Sequence, residues 1–398
     1  MLERAPESET AVEESRRPGN GRRPRIVVKL GSAVLTHPRR GLREEVIGET
    51  AEQLANLGAG DTRDFVVVSS GAIAAGRKAL GLPGTLSLSR KQAAAAAGQP
   101  LLMEAWTRAL GWRGLRTAQV LLTHEDIASR SRYLAARDTF EALLEAGAVP
   151  VVNENDTVAT AEIRMGDNDH LAALVALMLH ADHLFLLTDT DGLFTADPHR
   201  DPEARRIPVL GPTDNGDHWR AGESHRGSPG SGGMASKIRA ARLAARFGIP
   251  VTVARGDRER CLEDLLAGRE IGTRVPPLEC RSSPSRQVWI ATARNPAGEI
   301  RVDPGAAQAL TARGKSLLPA GVVEVQGDFR AGDPVRILGP EGRDLGIGIA
   351  GWDAASLVQG MGNRRERRRE LLKAGLPPEV VHRDDWSPPA SPDGAEGT

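Results

Sequence analysis

Two polar clusters bracket one short stretch of this 398-residue chain. Asn153, Glu154, Asn155 and Asp156 follow directly on the apolar run AVPVV, and Asp167, Asn168 and Asp169 stand just before the apolar run LAALVALML. Asn and Asp at such places ordinarily make turns and helix caps, because their side chains bond nearby backbone. Two clusters flanking one small segment point further, to amides that grip a small polar ligand and carboxylates that hold a metal ion or orient a cation. Lysines supply the cations. Lys29 stands next to last in the run RIVVKL, which Gly31 and Ser32 follow; it is either an edge residue with its stem along apolar surface or a charge aimed past the strand. Lys237 lies in the first turns of a helix opened by the glycine-rich stretch GSPGSGGMASK. Backbone N–H groups there suit phosphate oxygens, with the lysine as a point charge.

Further turns are of the same kind. Ser69, Ser70 and Gly71 lie between VVV and the helix-like AIAAG, and Thr188 and Asp189 end the run HLFLLTD before Asp191 and Gly192 turn the chain. The glycine pattern Gly230-x-Gly232-x-x-Ala235 meets a loose dinucleotide fingerprint, but that motif needs a strand immediately upstream. DHWRAGESHRG is not one, so the dehydrogenase reading is rejected. No Gly-Lys-Ser/Thr closes a Walker A loop either.

What must position these residues is an alternation of strands and helices. From Arg25 to about Arg274, short β-branched or apolar runs (25–30, 64–70, 116–122, 148–152, 183–189, 250–255) alternate with helical stretches such as REEVIGETAEQLANLG and KIRAARLAARFG. That pattern predicts an α/β fold with a mostly parallel sheet covered on both faces. Ligands then bind beyond the carboxyl ends of the strands, so KLGS, SSGA, NEND and TDTDG should gather on one rim. After VPPLECRSSPSR the chain becomes short strands punctuated by Gly, Pro and Asp, which predicts a small β-barrel-like domain. A charged helix and a tail follow. Lysines, glycine turns, carboxylates and amides on one rim are the parts that phosphoryl transfer requires, since its catalysis is positioning plus charge stabilisation. A rim lysine contributes little packing, so its removal should leave the fold nearly unchanged.

Bulk properties exclude other classes. Lys+Arg 52 balances Asp+Glu 52, so no global field favours nucleic acid or an anionic membrane. Cys261 and Cys280 have neither metal-like spacing nor a disulfide framework. The run Leu171–Leu179 falls short of the roughly 20 residues of a membrane span. The first residues hold no apolar segment of a signal peptide and predict a disordered tail. The expected location is the cytoplasm.

VVKLGSAVLT, VSSGAIAAGR, VPVVNENDTVATAEIRMGDND, LLTDTDGLFTADP and GGMASKIRAA, in this order, resemble the glutamate 5-kinases of the amino acid kinase family. KSLLPAGVVEVQGDFRAGDPVRI resembles the PUA domain that many bacterial members carry, and the final VHRDD resembles the family's ending. The resemblance implies a three-layer α/β sandwich around a mostly parallel sheet, spanning residues 25–274 after a tail at 1–24. A linker at 275–284, a PUA domain at 285–362 and a charged helix and tail at 363–398 complete the division. The implied activity is ATP-dependent phosphorylation of the side-chain carboxylate of L-glutamate to L-glutamyl 5-phosphate, which starts proline biosynthesis.

By motif position, the resemblance makes Lys29 and Lys237 stabilisers of the transferring phosphoryl group, with Asp169 orienting them. Ser70, Gly71, Asp156 and Asn168 would bind glutamate, while Asn153 and Asp167 shape the substrate site or hold Mg²⁺. Lys29, Thr188, Asp189 and the segment Ser231, Gly232, Gly233, Met234, Ala235, Ser236 and Lys237 would bind ATP. Mg²⁺ would be held mainly through the ATP phosphates, with Asp167 a candidate ligand. Implied partners are a reductase receiving glutamyl phosphate, proline as feedback inhibitor and copies of the same chain in a dimer or tetramer, with no membrane. The alternatives are a sister kinase acting on another carboxylate or phosphate and an RNA-binding role through the PUA domain. Against the latter, acidic and basic residues balance between 283 and 362, whereas phosphate-backbone binding normally needs a basic excess. The run from Arg364 to Arg369 is the local exception.

Overall fold

The computed structural model describes residues 22–37, 40–60, 62–158, 168–196, 201–211, 233–278, 296–362 and 364–389. The first part runs β1 (Arg25–Leu30), α1 (Ser32–Leu35), the small pair β2 (Thr36–His37) and β3 (Gly41–Leu42), α2 (Glu44–Gly58), β4 (Asp64–Ser69), α3 (Ala72–Ala79) and α4 (Leu88–Gly111). It continues with β5 (Arg116–Leu122), α5 (His124–Ala128), α6 (Arg130–Glu145), β6 (Ala148–Glu154), α7 (Asn168–Met178) and β7 (His183–Thr188). After these come α8 (Met234–Arg246), β8 (Val251–Arg255), α9 (Cys261–Leu266) and β9 (Thr273–Val275). Seven strands form one sheet in the order β5-β6-β4-β1-β7-β8-β9. All neighbours are parallel except β9, which runs antiparallel to β8.

Side-chain alternation along each strand divides the core into two layers. Val27, Val66, Val68, Val152, Leu184 and Leu186 face the layer built on α6, α7 and α8. Ile26, Val28, Phe65, Val67, Val149 and Val151 face the layer that holds α2, α4 and α9. Helix α7 is buried at every residue from Leu171 to Met178, which explains its uninterrupted apolar sequence: it lies across the sheet and is itself covered by α8. This is the α/β sandwich expected from the alternation. Among the described residues no helix is long and apolar enough to cross a membrane.

On the other face α3 and α4 approach closely. A Cβ on Gly76 would fall 1.7 Å from the Ala94 carbonyl oxygen, and one on Gly98 would fall 1.8 Å from that of Ala72. Only glycine permits this contact, because any side chain would occupy the partner's backbone.

The remaining elements are β10 (Gly298–Val302), α10 (Pro304–Thr311), β11 (Val322–Gly327), β12 (Pro334–Leu338), β13 (Asp344–Ile349), α11 (Ala354–Gly360), α12 (Arg365–Lys373) and β14 (Trp386–Ser387). Their five-stranded sheet has the order β11-β10-β12-β13-β14 and its own core around Phe329, Val335, Ile337, Trp352 and Leu357. The charged run forms α12, none of whose residues is buried. The sheet takes its fifth strand from beyond that helix, through pairing of Ile347 with Ser387 and Gly348 with Trp386.

Candidate active site

The strand order places the carboxyl ends of β6, β4, β1 and β7 side by side. The four polar turns after them therefore share one rim. Backbone bonds tie the ends together: the Ser70 N–H donates to the Leu30 carbonyl at 3.2 Å, and that of Gly31 to Leu187 at 3.1 Å.

Strand parity then decides what each side chain meets. Lys29 is two residues from Val27 and so points to the face covered by α7. Its ammonium contacts Oδ1 of Asp169, in the first turn of α7. The other oxygen, Oδ2, lies 3.2 Å from Nζ of Lys237 in α8. Packing of α8 on α7 closes this triad. It is dry: the side chains of Lys29 and Asp169 are 3% and 0% exposed, and that of Lys237 12%. Burying two cations around one carboxylate requires good geometry to offset their desolvation. The expectation of a weakly packed rim lysine is corrected here for Lys29, whose place on a central strand puts it inside the fold.

Ser69 and Asn153 have the opposite parity and point toward α4. Trp106 Nε1 donates to Ser69 Oγ at 2.9 Å. Asn153 Nδ2 donates to Oε1 of Gln99 at 2.9 Å. The Asn153 oxygen accepts from the Glu154 N–H at 3.0 Å and from Asn168 Nδ2 at 3.0 Å. Asn168 Nδ2 also reaches Ser70 Oγ at 2.8 Å and the Ser69 carbonyl at 3.3 Å. Two backbone groups fix every amide here, since the Glu154 N–H can only donate and the Ser69 carbonyl can only accept. Asn168 thus turns its nitrogen inward. Ser70 Oγ accepts from Asn168.

Gly71 forms the N-cap of α3, and Asp156 follows β6 in a turn, half-buried. On the other side of β1, Thr188 is buried at the end of β7 and its hydroxyl donates to the exposed Asp189 at 3.0 Å. Gly233 is the N-cap of α8 and supplies no side-chain cap. Ser236 and Lys237 donate their N–H groups to the Gly233 carbonyl at 3.1 and 3.4 Å, and Met234 and Ala235 complete the first turn. The uncapped helix start and Lys237 together suit an anion. Next along the rim, Arg255 at the end of β8 bonds Asp257 at 2.8 Å. Burial would raise the Asp257 carboxyl, but hydrogen bonds from Arg255 and Arg43 outweigh it and hold the group below its ordinary range. Asp167, Ser231 and Gly232 lie outside the described residues.

Sequence reasoning missed Gln99 and Trp106. Gln99 had a signal: it is the first polar residue after the five alanines Ala93–Ala97 and is flanked by Gly98 and Pro100. Trp106 had only its place on the buried face of a helix.

The model of the amino acid kinase family matches residues 24–255, and that of the PUA domain matches residues 298–371. Glutamate 5-kinase of Trichlorobacter lovleyi is 45% identical over 362 residues, 91% of this chain and 96% of that protein. The Thermus thermophilus protein of the same name is 46% identical over 364 residues, 90% and 96% of the two chains. That of Moorella thermoacetica is 47% identical over 369 residues, 91% and 95%. With the sheet order and the rim already in place, these matches make the chain a member of the amino acid kinase family, on its glutamate 5-kinase branch, with a PUA domain behind the kinase fold.

Proposed function

We infer that this protein transfers the terminal phosphoryl group of ATP to the side-chain carboxylate of L-glutamate, giving ADP and L-glutamyl 5-phosphate. The observation that carries the chemistry is the dry triad, in which Asp169 holds the ammonium groups of Lys29 and Lys237 on its two oxygens. Charge that spreads over the phosphoryl oxygens during transfer is stabilised by cations fixed in place beforehand, at no cost of reorganisation. Asp169 orients both lysines. Relatives named glutamate 5-kinase over nine-tenths of the chain support glutamate as acceptor.

The amide cluster takes the amino acid. The Ser70 hydroxyl donates to a carboxylate and the Asn168 oxygen accepts from an ammonium, with Gly71 and Asp156 completing this side. Thr188, Asp189 and the start of α8 take the nucleotide. Mg²⁺ enters mainly on the phosphates of ATP, with Asp167 a candidate ligand. When bound there it neutralises phosphate charge. Handover to a reductase, feedback by proline and assembly of the chain into dimers or tetramers rest on the resemblance alone.

The test is ATP-dependent hydroxamate formation, which reports acyl phosphate directly, with glutamate, aspartate and acetylglutamate compared. Glutamate is expected to be the preferred acceptor. Faster reaction with either of the others would overturn this assignment.

A further inference from the structure

We propose that Gln99 is a positioning residue for the acceptor amino acid, acting through Asn153; the inference rests on the acceptor reading above and adds what anchors the amide cluster. Gln99 is 8% exposed and Asn153 3%, so neither amide can exchange a lost partner for solvent. Asn153 has two groups to satisfy. Its oxygen takes the Glu154 N–H and Asn168 Nδ2, and its nitrogen donates to Gln99 Oε1. The Glu154 N–H sets which way Asn153 faces, and Oε1 of Gln99 satisfies the nitrogen this leaves and anchors the side chain there. So anchored, the Asn153 oxygen stays on Asn168 Nδ2, beside the bond from that nitrogen to the Ser69 carbonyl, and holds Asn168 and Ser70 in place for the acceptor.

The working atom of Gln99 is its oxygen. The nitrogen, Nε2, is buried without a hydrogen-bond partner among the described residues. A buried amide left half-satisfied is costly. Gly98, whose Cβ would collide with the Ala72 carbonyl at 1.8 Å, brings the next residue of α4 against the end of β6. Gln99 therefore reaches Asn153 from a different layer than the strands that carry the rest of the cluster.

The roles of oxygen and shape separate in two substitutions. Gln99→Met keeps length and bulk and removes the acceptor. Gln99→Glu keeps an acceptor oxygen opposite Asn153 and, with its carboxyl protonated, the shape of the amide; the ionised form is costly in this buried place, so the variant is compared at about pH 6 as well as about pH 8. A packing role predicts that methionine is tolerated and glutamate is not. Positioning predicts the reverse. In full-length protein, Gln99→Met is expected to raise KM for glutamate about tenfold or more, the scale of one lost hydrogen bond, with KM for ATP within about twofold. Gln99→Glu is expected at about pH 6 to keep KM for glutamate within about threefold of wild type.

A methionine variant with wild-type KM for glutamate, or one in which both Michaelis constants rise together, overturns the inference. Should the methionine variant not fold, Gln99→Leu, which also removes the acceptor without adding charge, takes its place: a near-wild-type KM for glutamate overturns the proposal, and a rise of about tenfold with KM for ATP unmoved supports it. Wild-type protein without turnover on glutamate defeats the acceptor reading and this inference with it. Wild-type turnover with an unaffected methionine variant defeats the inference alone.

Discussion

Lys29 and Asp169 form an ion pair from which water is excluded, the lysine side chain being 3% exposed and the carboxylate 0%. The pair joins the central strand to the first turn of α7. A charge buried in this way is costly unless compensated, so the contact belongs to the fold as well as to the chemistry.

The two lysines should therefore separate. Lys29→Ala and Lys237→Ala are each expected to lower turnover by on the order of 10²–10³, as for loss of one preorganised donor. Lys29→Ala should in addition lower stability by roughly 3 kcal/mol, because it withdraws the more deeply buried partner of a buried carboxylate. Lys237→Ala should lower stability less, its side chain retaining 12% exposure. Urea unfolding and hydroxamate formation on the same preparations check both. An unchanged unfolding midpoint for Lys29→Ala, or near-wild-type turnover for either variant, would contradict the assignment.

Asn168 tests the division between acceptor and nucleotide. Its contacts run to Ser70, Ser69 and Asn153 and none to the nucleotide side of β1 among the bonds described. Asn168→Ala is expected to raise KM for glutamate while leaving that for ATP nearly unaltered, the pattern of lost uniform binding. Asp156→Ala should behave alike. Equal loss of ATP affinity would place these residues elsewhere in the reaction.

His183 gives a pH dependence unrelated to the chemistry. Its ring bonds Thr252 at 3.0 Å and packs against Phe185 with ring centroids 4.3 Å apart, and burial pushes the imidazole down to about 4 from an ordinary 6.5. Between those values the unfolded chain binds the proton and the folded one does not, so stability falls as pH is lowered from 6.5 toward 4. The full shift corresponds to roughly 3 kcal/mol. The ring keeps partial solvent access, so the observed loss should be smaller. His183→Gln should flatten this part of the profile. Urea midpoints at about pH 7 and about pH 5 check it, and identical slopes for wild type and variant would show that His183 does not titrate with unfolding.

Much of this was legible in the sequence because it is local. Short β-branched or apolar runs separated by helical stretches define a mostly parallel sheet, and in such a sheet KLGS, SSGA, NEND and TDTDG must all lie at carboxyl ends. Lys29, Asn153, Asn168 and Asp169 are recognisable for that reason, as polar residues at the ends of apolar elements. Only the tertiary structure decided what they touch. Asn168 and Ser70 stand 98 residues apart, and their contact depends on the strand order β6-β4-β1-β7, which no local pattern encodes. The burial of Lys29 follows from its strand being central and covered by α7, whereas an edge strand with the same sequence would leave it in water. Gln99 reaches the site because two glycines let α4 cross α3 at backbone contact, and β14 becomes the fifth strand of its sheet by pairing with β13. Spacing and parity determine which way a side chain points; the packing of layers determines what stands there to meet it.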